Sequence, residues 1–321
     1  MRGDNSPSIE GRRYWKFGWN DLDGLPLVGA IDYQPKGGAF RMFAEGTFRG
    51  EHLQSFPAQK TKSTLQALGG CAYCGRCQDE QGQSIKLTSE HIIPEFLGAG
   101  LELPEASCVD CQKVTSTFES SIAQEIFDPV RKAFNLVGKG GGLQKTNFPL
   151  DVGRETTEHE FIPLVHHPTI LVMPMLYPAS SYSRRPKDAD DPFNFRMYNI
   201  NADPKVMQKY AIDRFSSQSI DMVRFAQMIA KIAHVYATHY LGQGAFKPLV
   251  ADFVRTDFPP GTSYKSHFEH VGCLWKSDPK STSLHEIEIG KMDWDGQSLN
   301  AVRVRIFASC DMPSYYVTVG R

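Results

Sequence analysis

Cys71-Ala72-Tyr73-Cys74, Ser89-Glu90-His91-Ile92-Ile93-Pro94 and Cys108-Val109-Asp110-Cys111-Gln112 are the segments from which the rest of this chain is read. Two Cys-x-x-Cys pairs supply four thiolates, the set that closes a tetrahedral structural zinc site: Cys71, Cys74, Cys108 and Cys111. Cys77 adds a third thiol to the first knuckle, but Cys71 and Cys74 mirror Cys108 and Cys111 and are the pair expected to bind. Four buried thiols without metal are the weaker reading of this spacing. The gap between the pairs is longer than in a simple zinc ribbon, as expected if a segment with its own purpose is inserted there.

Working outward from the cysteines, Ser84-Ile85-Lys86-Leu87-Thr88 alternates polar and apolar residues and predicts a strand that delivers Glu90 and His91. On an extended segment these neighbours point to opposite faces. Pro94 stops the strand, and Leu97 to Gly100 reads as a loop. From Val109 the period changes: Val114, Phe118, Ile122, Ile126 and Phe127 recur at helical steps. The second cysteine pair therefore opens a helix, with Gln112 in its first turn.

Composition narrows the class. The 321 residues are 41% hydrophobic and 22% charged, long enough for about two domains. The net charge is −1, so any nucleic-acid site is a local patch, with modest, salt-sensitive binding. Five of the seven cysteines fall between residues 71 and 111. That clustering and the odd count argue against a secreted disulfide framework and for metal binding in a reducing compartment. The polar start, Met1 to Ser6, has no apolar signal core, and no run approaches the roughly 18 apolar residues of a membrane span. A cytoplasmic protein is expected.

The organisation read from the chain is a flexible tail (1–11), a β-rich segment (12–70), the cysteine-bounded unit (71–135), a linker (136–149) and a mixed α/β domain (150–321). Tyr14–Phe17, Leu27–Ile31 and Ala39–Phe43 read as short strands, and 60–70 as a short helix or linker. Gly138–Gly142 lacks the ending of a P-loop and reads as a hinge. Phe161–Pro178 is strand-like, and Ser181–Asp191 is a charged surface loop. Ser219–Leu241 is apolar nearly all round and reads as a buried helix. His285–Ile289, Val302–Phe307 and Tyr315–Val319 close the chain as strands.

Phosphodiester hydrolysis needs a base for the attacking water and neutralisation of the leaving oxygen. Histidine suits the first task and an oxygen-held divalent cation the second. The whole pattern, Cys-x-x-Cys, Glu-His-Ile-Ile-Pro with Leu97-Gly98, then Cys-x-x-Cys and a polar residue, resembles the HNH endonuclease family over about residues 71–120. The resemblance implies an α+β protein with a ββα-metal nuclease unit stapled by structural zinc. It implies His91 as general base, with Glu90 and Gln112 holding a catalytic Mg²⁺ or Mn²⁺. It implies DNA as partner, RNA staying open, and a place in restriction, phage defence or mobile DNA. Gln112 stands where the family carries His or Asn. The family's middle Asn has no clear counterpart, since Leu101–Ser107 offers only Glu102 and Glu105.

Other signals are weaker. Arg12–Phe17 interleaves basic and aromatic residues, which bases can stack upon, but a half-buried strand is the commoner outcome. Arg76, Lys86 and Lys113 lie close in sequence to the proposed centre. His166 and His167 flank a strand. His234 and His239 are five apart, not the four of a helical zinc pair, and read as core or helix-end residues. Two further functions stay open: a non-catalytic zinc module that binds nucleic acid or protein, and a nuclease gated by a ligand on the C-terminal domain. Homo-oligomerisation is compatible with either.

Overall fold

The computed structural model describes residues 12–16, 30–33, 44–57, 62–98, 100–134, 136, 147–151, 159–163, 166–185, 194–200, 204–210, 214–218, 220–263, 267, 269–274 and 278–321. The tail 1–11, the segment Ala39–Phe43, most of Leu27–Ile31 and the glycine run Gly138–Gly142 lie outside them. The fold is α+β, mostly strands with few helices. The strands are β1 (Arg12–Lys16), β2 (Ala30–Tyr33), β3 (Thr47–Phe56), β4 (Lys62–Thr64), β5 (Leu87–His91), β6 (Gly100–Cys108), β7 (Asn147–Asp151), β8 (His159–Pro163), β9 (Thr169–Met175), β10 (Asn194–Ile200), β11 (Arg214–Gln218), β12 (Val271–Cys273), β13 (His285–Trp294), β14 (Gln297–Ile306) and β15 (Ser314–Gly320). The helices are α1 (Val109–Glu125), α2 (Asp128–Ala133), α3 (Pro204–Lys209), α4 (Met222–Leu241) and α5 (Ala251–Arg255). No helix among the described residues is long and apolar enough to cross a membrane.

A five-stranded antiparallel sheet, ordered β12-β15-β14-β13-β3, is the scaffold. Its central hairpin turns on Asp295-Gly296, both with positive φ, as a two-residue hairpin loop between right-twisted strands requires. β3 joins β13 through a bulge at Ile289/Gly290, where a Cβ on Gly290 would stand 2.0 Å from the Arg49 carbonyl oxygen. Only glycine permits that approach.

Helix α4 crosses this sheet over β14 and β15 and packs against α1 on its other side. Asp221 caps it, its Oδ1 accepting from the amides of Val223 (3.1 Å) and Arg224 (3.0 Å). Buried residues run from Met222 to Thr238, the burial expected of a helix apolar all round. One apolar interior extends from Phe56 through the cysteines, α1 and α4 to Val319. The cysteine-bounded segment and the C-terminal sheet thus share a core. A smaller cluster, including Phe48, Tyr182, Met292 and Tyr316, forms separately.

Two local expectations are corrected. Within 60–70, Lys62–Thr64 is strand β4, parallel to β6, not a helix or linker. The amide of Leu65 continues that pairing to the Glu102 carbonyl (2.9 Å), and Leu65 and Leu68 reach the core from irregular backbone. The open edge of β6 takes precedence over helical spacing here. Within Ser181–Asp191, residues Tyr182, Ser183 and Arg185 are buried, not on a surface loop. The Tyr182 hydroxyl donates to the Tyr316 carbonyl (3.3 Å), pinning this stretch onto the sheet; 186–191 lie outside the described residues. Arg12–Lys16 is indeed a strand, antiparallel to β11.

His285 joins the sheet to the segment that follows His91. Its Nε2 donates to the Leu97 carbonyl (2.9 Å), and its Nδ1 accepts from the Phe307 amide (3.2 Å). The ring is therefore neutral, and burial pushes its pKa down to about 4. Between that value and the ordinary 6.5 the unfolded chain binds more protons than the folded one. The His285 contribution to stability is complete above pH 6.5 and is lost as pH falls toward 4. Urea titrations from pH 7 to 4 are expected to show this decline, and His285→Phe is expected to flatten it.

Candidate functional site

The four cysteines meet: the Sγ atoms of Cys71, Cys74, Cys108 and Cys111 all lie within 4.8 Å of one another. Cys74 and Cys108 are 3.7 Å apart. Zn–S bonds of about 2.3 Å in a tetrahedron set sulfur separations near 3.8 Å, so the cluster is compatible with structural zinc. Cys77 is exposed and outside the cluster. Gly75, at φ +75°, lets the first knuckle double back, its amide donating to the Cys71 carbonyl (2.8 Å). Cys108 is the N-cap of α1 and Cys111 sits in its first turn. Arg76 lies over the sulfurs, Nε 3.5 Å from Cys74 Sγ and Nη2 3.6 Å from Cys108 Sγ, and Nη2 also donates to Asp110 (2.6 Å). The hydrogen bond from Cys111 pulls the Cys71 thiol down to about 4, and the same bond pushes Cys111 up.

Beside the cluster, β5, the segment that follows it, α1 and α2 line a cleft of about 450 Å³, with Glu90, His91, Glu95, Gln112, Glu119 and Arg131 among its residues. Strand β5 runs antiparallel to β6 with a register shift between Thr88 and Glu90. Glu90 is buried, whereas His91 is half-buried. Helical spacing places Gln112, Thr115, Ser116 and Glu119 on the cleft side of α1. The imidazole Nε2 of His91 is 4.0 Å from Glu95, too long for a hydrogen bond. Its Nδ1 is buried with no hydrogen-bond partner among the described residues.

Behind two of the cleft's carboxylates lies Lys231, a fully buried ammonium from α4. It pairs with Glu90 Oε1 (2.6 Å) and Glu119 Oε1 (2.9 Å) and donates to the carbonyls of His91 and Ile92. Burial alone would lower its pKa, but Glu119 and Glu90 outweigh burial and raise it, so it stays charged. Burial, then the charges of Glu90 and Glu119, push the Tyr73 phenol far above its ordinary value. Tyr73 is in the first cysteine knuckle, so the charges of these two cleft carboxylates are felt there.

Glu90, His91 and Gln112 thus line one cleft, with Gln112 exposed in the first turn of α1. Among the described residues, the four cysteines are the only His, Cys, Asp or Glu group with three or more donors that close together. Glu90 is first of all the partner of Lys231. Glu102 faces His91 across the strand pair, and Glu105 is exposed with a positive φ. Arg76 serves the cysteines and Asp110; Lys86 and Lys113 are exposed. His234 is buried and its Nε2 donates to the Ala72 carbonyl (2.9 Å), so it braces the first knuckle. His239 is in the last turn of α4, and His166 and His167 precede β9. Sequence reasoning missed Glu119, Lys231 and Arg131. Glu119, seven residues after Gln112, and Lys231, the one lysine in the middle of an apolar helix, left signals in the pattern. No protein-family model, curated protein or solved structure matches this chain.

Elemental analysis is expected to find one zinc per chain in the purified protein, retained in Cys77→Ser and lost in Cys108→Ser, which melts at lower temperature. Lys231→Met strands the buried carboxylate of Glu90 and the half-buried one of Glu119 and is expected to cost about 3 kcal/mol in urea unfolding.

Proposed function

We propose that the cleft hydrolyses phosphodiester bonds of DNA, as a nuclease of the HNH kind, with His91 as general base. The observation that carries this reading is the convergence of Glu90, His91 and Gln112 in one cleft against a four-cysteine cluster. The order strand, loop, strand, helix from β5 through α1, with the second cysteine pair opening the helix, supports a ββα unit in the same sense. His91 ends a strand, and its own carbonyl and that of Ile92 just after it are held by Lys231, so the base is carried on fixed backbone.

The sulfur cluster suits structural zinc, whereas the cleft offers hard oxygen donors in Glu90, Gln112 and Glu119, the chemistry of Mg²⁺ or Mn²⁺. Lys231 takes one oxygen of each carboxylate, and an ionised carboxylate has two. Such an ion, when bound, supplies neutralisation of the leaving oxygen. His91 takes the proton of the attacking water. The α1 face that carries Gln112 and Glu119 bounds the cleft opposite that base.

One observation favours a second reading, a zinc module that binds nucleic acid or protein without cutting it: Glu90 already has a resident cation in Lys231. Plasmid nicking with Mg²⁺ or Mn²⁺ separates the two. Wild type is expected to nick, and His91→Ala to lose about 100-fold or more while keeping its zinc and its melting temperature. A zinc-loaded wild type that cuts nothing with either ion contradicts the nuclease reading.

A further inference from the structure

We infer that Arg131 is the phosphate-binding residue of the cleft, the side chain that grips the nucleic-acid backbone beside His91. The inference rests on the nucleic-acid reading of the cleft and adds a residue which that reading does not use. Among the described residues one cation, Arg131, lines the cleft and another, Lys231, lies behind its carboxylates, and they differ in what they have left to give. Lys231 has three N–H donors and four acceptors around it, Glu90, Glu119 and the carbonyls of His91 and Ile92. It has nothing to offer a ligand. Arg131 lines the same cleft and forms no ion pair among the described residues. The neighbouring acids are engaged elsewhere: Asp128 with Lys132 (2.5 Å), Glu119 with Lys231 (2.9 Å).

The arm is fixed rather than swinging. The Arg131 amide donates to the Phe127 carbonyl (2.8 Å) and its own carbonyl accepts from Leu136 (2.8 Å), which anchors its backbone in α2. The guanidinium carbon lies 5.7 Å from the Phe96 ring centroid, and Phe96 rests in turn on buried Phe127, with centroids 5.8 Å apart. Phe96 follows His91 by five residues, so the stack ties the guanidinium to the loop after the base. Within this support Arg131 Nε is buried and has no hydrogen-bond partner among the described residues. A guanidinium carries five N–H donors in a planar fork that matches two phosphate oxygens. A supported fork with an unspent donor, beside a histidine and with Asp128 and Glu119 engaged elsewhere, suits a phosphodiester oxygen pair. Glu90, Glu95 and Glu119 against Lys231 would otherwise leave the cleft net negative and repel such a ligand.

The test measures binding apart from cutting. His91→Ala protein, zinc-loaded and without added divalent ion, is titrated against a fluorescein-labelled DNA duplex by anisotropy over a series of KCl concentrations. Adding Arg131→Gln is expected to weaken binding roughly tenfold or more, as loss of a charged hydrogen bond does, and to reduce the salt slope by about one counterion. Arg131→Lys is expected to fall between the two, because it keeps the charge and loses the fork. Lys280→Gln, which removes the same charge from an exposed position, is the control and is expected to bind like its parent. Zinc content and melting temperature are read for every variant. The inference is overturned if Arg131→Gln binds like Lys280→Gln with an unchanged slope, or if the parent binds no DNA. Arg131-dependent binding in a protein whose wild type never cuts would sink the nuclease reading and leave this inference standing. Normal cutting and normal binding in Arg131→Gln would do the reverse.

Discussion

A charged amine removed from water must be given oxygen atoms to replace its hydration, and in this protein that requirement falls on Lys231. The ammonium comes from the middle of α4, and everything it needs comes from elsewhere. Glu90 and the carbonyls of His91 and Ile92 belong to β5 and the turn after it; Glu119 belongs to α1. One buried cation therefore fixes three elements against one another. It does so at the strand that carries His91. Removing it would not simply delete a contact, because buried Glu90 and half-buried Glu119 would be left without a counter-charge.

The cysteine cluster and the cleft depend on the same helix. Three residues after Lys231, His234 reaches the first knuckle through the Ala72 carbonyl, and just past the end of α4 the Gln243 amide donates to the Cys71 carbonyl (3.1 Å). On the other side His285 holds the Leu97 carbonyl from the main sheet. The loop between β5 and β6 is thus pinned at both ends, and the knuckle is braced from behind. A metal at the cysteines would lock β6 and α1 to that knuckle as well. The arrangement explains why a short cysteine-bounded segment shares its interior with the C-terminal sheet.

What could be read in the sequence was local. Cys-x-x-Cys spacing reports ligand spacing directly, and the cluster excludes Cys77 as the mirrored pairs indicated. Helical periodicity from Val109 and through Ser219–Leu241 matched α1 and the described part of α4, since both bury a long apolar face. Gln112 was placed in its turn by the same reasoning. What could not be read was distant in sequence. Lys231 meets the His91 carbonyl across 140 residues. The parallel pairing of β4 with β6 and the burial of Tyr182 are likewise decided by partners that no local pattern names. The Asp295-Gly296 hairpin turn, by contrast, is local and legible in the sequence.

The account holds that one zinc-stapled scaffold presents a second, oxygen-lined metal site beside His91. Anomalous X-ray diffraction from crystals soaked in MnCl₂, collected at the zinc and manganese edges, tests that claim most directly. The account predicts a zinc peak among Cys71, Cys74, Cys108 and Cys111 and a manganese peak in the cleft beside Glu90 and Gln112. A zinc peak with no manganese near His91 would contradict it and leave a zinc module without a second metal site.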